Sequence, residues 1–240
     1  MRLAGYEKND NVVITRKIEN ESHSSGVRIP CGTVVLQGEL VIPSHAQGVV
    51  VFAHGSGSSQ HSPRNQFVAR TIQKSGKGTL LFDLLTPEEE IEDNVTRRLR
   101  FDTGLLMERL SEVTRWLVAQ PGVRHLGIGY FGSSTGAAAA LLAAADFGTR
   151  INAVVSRGGR PDLAGRALVR VKSPTLLIVG GYDYQVLQLN QQAFKQLHCE
   201  KELRIVPGAT HLFQEMGTLE VVASLAADWF RRYLQRLVVE

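Results

Sequence analysis

The apolar run Leu126–Phe131 opens directly into Gly132-Ser-Ser-Thr-Gly136, and that pentapeptide opens directly into Ala137-Ala-Ala-Ala-Leu-Leu142. No other junction constrains the fold as much. A buried strand that becomes a helix within five residues must turn so sharply that the apex residue is held in a sparsely populated backbone conformation. The positions two before and two after the apex face crowded backbone, where glycine fits best. An apex at Ser134 puts Gly132 and Gly136 in those places, whereas an apex at Ser133 would put Phe131 and Thr135 there. The turn therefore selects Ser134 and predicts a sheet covered closely by an alanine-faced helix.

The remaining pattern agrees with such a sheet. Val12–Thr15 and Gly32–Ile42 read as an antiparallel opening pair joined by the polar stretch Glu19–Arg28. Short apolar runs then alternate with helical stretches, the signature of βα repeats around a buried parallel sheet. The runs are Gly48–Ala53, Thr79–Phe82, Leu126–Phe131, Ala153–Ser156, Thr175–Val179 and Leu203–Val206; the helical stretches are Asn65–Lys74, Phe101–Gln120, Thr135–Phe147, Leu187–Leu197 and Leu219–Leu237. The expectation is an α/β chain with an eight-stranded, mostly parallel sheet flanked by helices. No repeat or composition shift divides it, so residues 1–30 read as an N-terminal extension with the first strand and residues 31–240 as the main body of one domain. With 240 residues, 43% of them hydrophobic, a domain of this size buries about 70–75% of its unfolded surface and needs no staple.

Several functional classes are disfavoured. Gly127-Ile-Gly-Tyr-Phe-Gly132 matches G-x-G-x-x-G, but its first two glycines lie inside the strand, and no acid ends the next strand; both features oppose a dinucleotide site. Gly55-Ser-Gly57 follows a strand without the lysine a phosphate loop requires. The net charge is +4, yet the basic residues are scattered, and the densest cluster, Arg97, Arg98 and Arg100, follows the acidic run Glu88–Asp93. Alternating signs of this kind mark a solvated face rather than a nucleic-acid surface. Cys31 and Cys199 lack metal-ligand spacing and read as reduced thiols, the N-terminus has no signal-peptide core, and Ala137–Ala145 is too short to span a membrane. A cytoplasmic protein without metal or organic cofactor is expected; the oligomeric state is open.

A serine hydroxyl needs a base to take its proton as it attacks. In α/β sheets with this turn the order is serine, acid, histidine. His198 sits at the end of a helical pattern, while His211 lies on Pro207–Phe213, a loop after the last apolar run, and is the choice. Among the acids, Asp183 ends Thr175-Leu-Leu-Ile-Val-Gly-Gly-Tyr-Asp at the carboxyl end of a buried strand, where such sheets carry their chemistry. Asp146 reads as a helix-end residue, and Asp162 is the reserve as a helix cap or arginine partner. The backbone N–H groups of Ser56 and Thr135 are the expected oxyanion donors, with His54 bracing the glycine loop.

With these pieces placed, the sequence resembles the dienelactone-hydrolase-like branch of the α/β-hydrolases from about Gly32 to its end. The motifs are HGSGSS with HSPRN (His61–Asn65), GYFGSSTGAAAA, SRGGRPDLA (Ser156–Ala164), LLIVGGYD and VPGATHLF. The resemblance implies the triad Ser134, Asp183, His211 and oxyanion donors at Ser56 and Thr135. Dienelactone hydrolases proper use a cysteine nucleophile; the serine here favours general ester or lactone hydrolysis through an acyl-enzyme. An amide, peptide or thioester substrate, or a non-catalytic binding role on the same fold, are the alternatives. Only Arg157 to Ser173 separates strands six and seven, where caps usually enter, so a minimal cap is expected. Arg157 and Arg160 at that rim read either as structural partners of Asp162 or as a hold on an anionic substrate group.

Overall fold

The computed structural model describes residues 23–235. Its centre is an eight-stranded sheet in the order β1-β2-β4-β3-β5-β6-β7-β8. The strands are β1 (His23–Cys31), β2 (Val34–Ile42), β3 (Gly48–Ala53), β4 (Gly78–Phe82), β5 (Gly127–Ser133), β6 (Ile151–Arg157), β7 (Thr175–Gly180) and β8 (Lys201–Val206). β1 pairs antiparallel with β2, and β2 with β4; every pairing from β4 through β8 is parallel.

One element departs from the sequence reading. The polar stretch expected to connect the opening pair is largely strand: β1 occupies His23–Cys31 and turns into β2 through the two residues Gly32-Thr33, Gly32 having φ +58°. The expected strand Val12–Thr15 lies outside the described residues, and β1 runs across the boundary drawn at residue 30. The reason is the place of β1 at the sheet edge. Only alternate residues such as Ile29 and Cys31 reach the core, so polar side chains can fill the outer face without disrupting the ladder.

Helices cover both faces. On one side Val49, Val51, Ile128, Tyr130 and Val154 pack against α3 (Thr103–Ala119), α4 (Thr135–Phe147) and Ala193 of α5 (Tyr184–Gln196). On the other, Val50, Phe52, Phe131, Val155 and Ile178 pack against α1 (Pro63–Lys74) and α6 (Thr218–Tyr233). The strand period of two sends alternate residues to opposite faces, which is why central strands are continuous apolar runs.

The charged run Glu88–Arg100 is mostly exposed, as a solvated face should be, and it is also ordered. Pro87–Thr96 forms α2, started by a capping box in which Glu89 N–H donates to Thr86 and the Glu89 carboxylate accepts from Thr86 N–H. The helix ends at Arg97, with φ 56°. Asp93 then accepts from Leu99 N–H at 2.7 Å and Arg100 N–H at 3.2 Å and is ion-paired with the Arg100 guanidinium.

The glycines of the G-x-G-x-x-G segment have a packing role. A Cβ at Gly127 would come within 2.7 Å of the Gln235 carbonyl oxygen, and one at Gly129 within 2.8 Å of the Phe230 ring. Both glycines let α6 and the chain after it close on β5. Gly129→Val should therefore displace Phe230 and destabilise the fold by about 1–3 kcal/mol, the usual cost of overpacking. A urea midpoint unchanged from the parent protein would disprove this.

Candidate active site

The turn after β5 has the strain its sequence implies. Ser134 adopts φ 49°, ψ −123°, a backbone conformation costing on the order of 1–3 kcal/mol for a non-glycine residue. Neighbouring backbone enforces it. A Cβ on Gly136 would stand 2.1 Å from the Ala53 carbonyl oxygen, and one on Gly132 would stand 2.5 Å from the Ala137 Cα. Ser134 N–H donates to the Arg157 carbonyl at 3.4 Å, and the Ser134 carbonyl accepts from Ala137 and Arg160 at 3.1 and 3.0 Å. Ser133 is buried as the last residue of β5, whereas Ser134 is partly exposed.

His211 and Asp183 come together from separate loops. Asp183 stands at the start of α5 just beyond β7, its side chain making no cap hydrogen bond, and His211 lies beyond β8; Nδ1 of His211 sits 2.6 Å from Asp183 Oδ2. That bond leaves Nε2 available to a hydroxyl. Gly180 and Gly158, neither singled out from the sequence, make room for the loop. A Cβ on Gly180 would approach the Ala209 and Thr210 carbonyls to 2.5 and 2.6 Å, and one on Gly158 (φ +49°) would come within 3.5 Å of the His211 ring. Glu215 secures the loop, accepting from Thr210 N–H at 3.1 Å and Thr210 Oγ1 at 2.6 Å.

The reserve acid is engaged elsewhere. Asp162 accepts from Nε and Nη2 of Arg160, at 2.9 and 2.7 Å, and Asp146 pairs with Arg170 at 3.2 Å. His198 is exposed after α5.

The loop after β3 lies against the serine: a Cβ on Gly55 would meet Ser134 Cβ at 2.8 Å. Ser56 and Thr135 line one cavity of about 450 Å³ beside it. Among the described residues, neither of their N–H groups joins a turn or cap hydrogen bond, and Thr135 is the first residue of α4, where an N–H has no intrahelical acceptor. The loop is fastened at two points, one expected and one not. His54 Nδ1 lies 3.0 Å from the Gly55 carbonyl, and its Nε2 accepts from Leu84 N–H at 3.0 Å. Asp83 was not foreseen: its carboxylate accepts from both the backbone and side-chain nitrogens of Gln60, at 2.7 and 2.6 Å.

The model of the dienelactone hydrolase family matches residues 36–237. The chain belongs to the dienelactone hydrolase family. It is similar to a dienelactone hydrolase from Anabaena variabilis, with 56% identity, a TM-score of 0.88, and coverage of 89% of this chain and 99% of that one. A dienelactone-hydrolase-like promiscuous phosphotriesterase from metagenomic libraries shares the fold at 18% identity, with a TM-score of 0.72 over 89% of this chain and 99% of that one. A Mycobacterium tuberculosis protein provisionally named a phosphoribosyl transferase is 56% identical over 208 residues, which are 87% of this chain but 46% of that protein. The chain thus spans about half the length of that curated relative.

The molecule has little above its candidate site. The segment between β6 and β7 forms short 3-10 turns over Pro161–Arg170, whose Ala164 and Leu168 are buried in the core, so it is part of the body rather than a lid. α2 flanks the cavity instead, contributing Glu90, Asp93 and Asn94 to its wall. Among the described residues no three metal-ligating side chains converge, and no helix is long and apolar enough to cross a membrane.

His54 links this site to pH. Burial pushes its imidazole below the ordinary 6.5, outweighing the Gly55 carbonyl and the Asp83 charge, which act the other way. The folded state therefore keeps His54 neutral while the unfolded chain protonates it. Its contribution to stability is present above pH 6.5 and is lost as pH falls through the folded value. The melting temperature should decline as pH is lowered from 6.5 towards 5, and His54→Gln should flatten that decline. An unaltered decline in the variant would assign the loss to other groups.

Proposed function

We propose that this chain is a serine carboxylic ester hydrolase acting on small esters or lactones through an acyl-enzyme. The observation that carries this reading is the strained Ser134 apex combined with a His211 whose Nδ1 is committed to Asp183 at 2.6 Å. A binding protein gains nothing from holding a serine at φ 49° at a cost in stability.

In this mechanism Nε2 of His211 takes the Ser134 proton as Oγ attacks the ester carbonyl. Asp183 holds the imidazole in the tautomer with the proton on Nδ1 and stabilises the imidazolium that forms. The tetrahedral oxyanion is received by the N–H groups of Ser56 and Thr135, aided by the positive end of α4. His211 then protonates the departing alcohol, or the ring oxygen of a lactone, and finally activates the water that releases the acid. Every proton is handled by side chains present, and the mechanism uses no cofactor.

Asp183, rather than Asp162, is assigned the acid role, because Arg160 already occupies both oxygens of Asp162. Phosphoribosyl transfer is not assigned to any residue of this chain; more than half of the relative bearing that name lies outside the matched region. Two free cysteines fit a reducing compartment, so we place the protein in the cytoplasm.

Ser134→Ala should reduce kcat for an activated ester by about 10⁴-fold or more while leaving the circular dichroism spectrum and urea midpoint near those of the parent. Retained turnover would refute the assignment. A parallel panel of esters, lactones, thioesters and amides fixes the bond attacked, and faster cleavage of amides or thioesters would replace the ester reading.

A further inference from the structure

One arginine is out of keeping with the rest of the molecule. Arg157, the last residue of β6, is only 8% exposed, and its Nε and Nη1 are buried with no hydrogen-bond partner among the described residues. Arg109, 9% exposed, shows the usual solution: it pairs with Glu89 at 2.7 Å and donates to the Cys31 carbonyl at 3.4 Å. Arg160, three residues on, is matched by Asp162. The Arg157 guanidinium instead lies over the Phe213 ring, 6.0 Å from its centroid. Its charged neighbour is Arg64, near the start of α1, whose Nε is likewise buried without a partner. Burial, then the nearby Arg64 charge, pushes the Arg157 group down to about 10, so it remains a cation at neutral pH.

A buried guanidinium beside a second one, with no carboxylate partner among the described residues, is costly in a folded chain, because it loses hydration and gains only the face of an aromatic ring in exchange. Their position gives the arrangement a use. Arg157 supplies the carbonyl that receives Ser134 N–H, and Arg64 lines the cavity shared by Ser56 and Thr135. α1 begins at Pro63 without a side-chain cap, so its first turn adds N–H donors and a positive end on the same side. Of the carboxylates on that cavity, Asp93 is held by Arg100, and burial raises the Glu90 carboxyl above its ordinary value.

We propose that Arg157 and Arg64 form a two-guanidinium subsite for the phosphate of a phosphorylated ester substrate. Resting on the serine-hydrolase reading, this names its substrate class: an ester or lactone bearing a phosphate monoester elsewhere in the molecule. The phosphate stays bonded to the substrate while the carboxylic C–O bond is cleaved. A dianion matches two fixed cations, and planar forked donors suit its oxygens. A single carboxylate would neutralise only one.

The test begins with binding, which needs no turnover. Titration calorimetry with inorganic phosphate and with phenyl phosphate should show binding to the parent protein, weakened about tenfold or more in Arg157→Met and in Arg64→Met. Absence of phosphate binding to the parent overturns the proposal. Without phosphate, Arg157→Met should melt at or above the parent temperature, by roughly 2–4 °C, because an apolar side chain of similar length replaces an unpaired charge. A clear fall would make Arg157 a structural prop on Phe213 and also overturn the proposal.

In turnover, kcat/KM for a phosphorylated ester should exceed that for its neutral isostere by about tenfold or more, and the ratio should collapse in both variants. An equal advantage for a carboxylate-bearing isostere would overturn the phosphate assignment. Labelling of Ser134 by a fluorophosphonate separates the two layers. Labelling without phosphate preference sinks this subsite alone; phosphate binding without labelling sinks the serine mechanism and leaves the subsite standing.

Discussion

The contact on which the candidate-site end of this molecule depends is the approach of the first turn of α4 to the end of β3. Gly136 lies so close to the Ala53 carbonyl that a methyl group there would stand 2.1 Å from the oxygen. This proximity has three consequences. It forces the turn after β5 to be tight, which places Ser134 at φ 49° and lifts it out of the sheet. It brings the loop after β3 against the serine, with Gly55 under Ser134 Cβ. It also sets Ser56 and Thr135 on the same cavity. Ser134, Ser56 and Thr135 are thus brought to one place by one crowded backbone contact, and stabilisation elsewhere in the sheet sustains the strain.

Loops without much regular structure of their own must be fixed in other ways, and polar bonds fix them. His54 and Asp83 tie the loop after β3 to the end of β4, at Leu84 N–H and Gln60 respectively. Glu215 ties the His211 loop to itself through Thr210. These restraints matter because any site assembled from separate loops tolerates little displacement, and about an ångström of drift is enough to spoil its geometry.

How much of this the sequence disclosed depends on whether the signal was local. The turn at Ser134 was legible because all its determinants, strand, glycines and alanine helix, fall within about twenty contiguous residues. The central strands were legible because burial on both faces leaves unbroken apolar runs. β1 was not, since an edge strand with one wet face carries polar residues that look like a connector. α2 was masked in the same way: its exposed face is charged, and its capping box, Thr86 with Glu89, lies in an acidic run. Asp183 could be ranked above Asp162 from position alone, whereas the engagement of Asp162 by Arg160 is spatial. The partners of Asp83, Gly158 and Gly180 lie well away in the chain, so nothing near them in sequence points to their roles.

The arginines show what pairing reveals that residue type does not. In the sequence, Arg157 and Arg160 form one basic pair at a strand end, open to either a structural or a ligand role. The fold separates them. Arg160 lies where Asp162 can reach it with both oxygens, and its charge is spent within the chain. Arg157 points to the opposite face of the sheet, among Phe213 and Arg64, where no described carboxylate answers it. A buried cation left unanswered lowers stability, and Met or Leu at that position would pack against Phe213 without that penalty. Strain at Ser134 and unpaired charge at Arg157 are therefore deviations of the same kind, local costs concentrated at the carboxyl ends of neighbouring strands. Where a fold accepts two such costs side by side, chemistry at that end is the economical explanation.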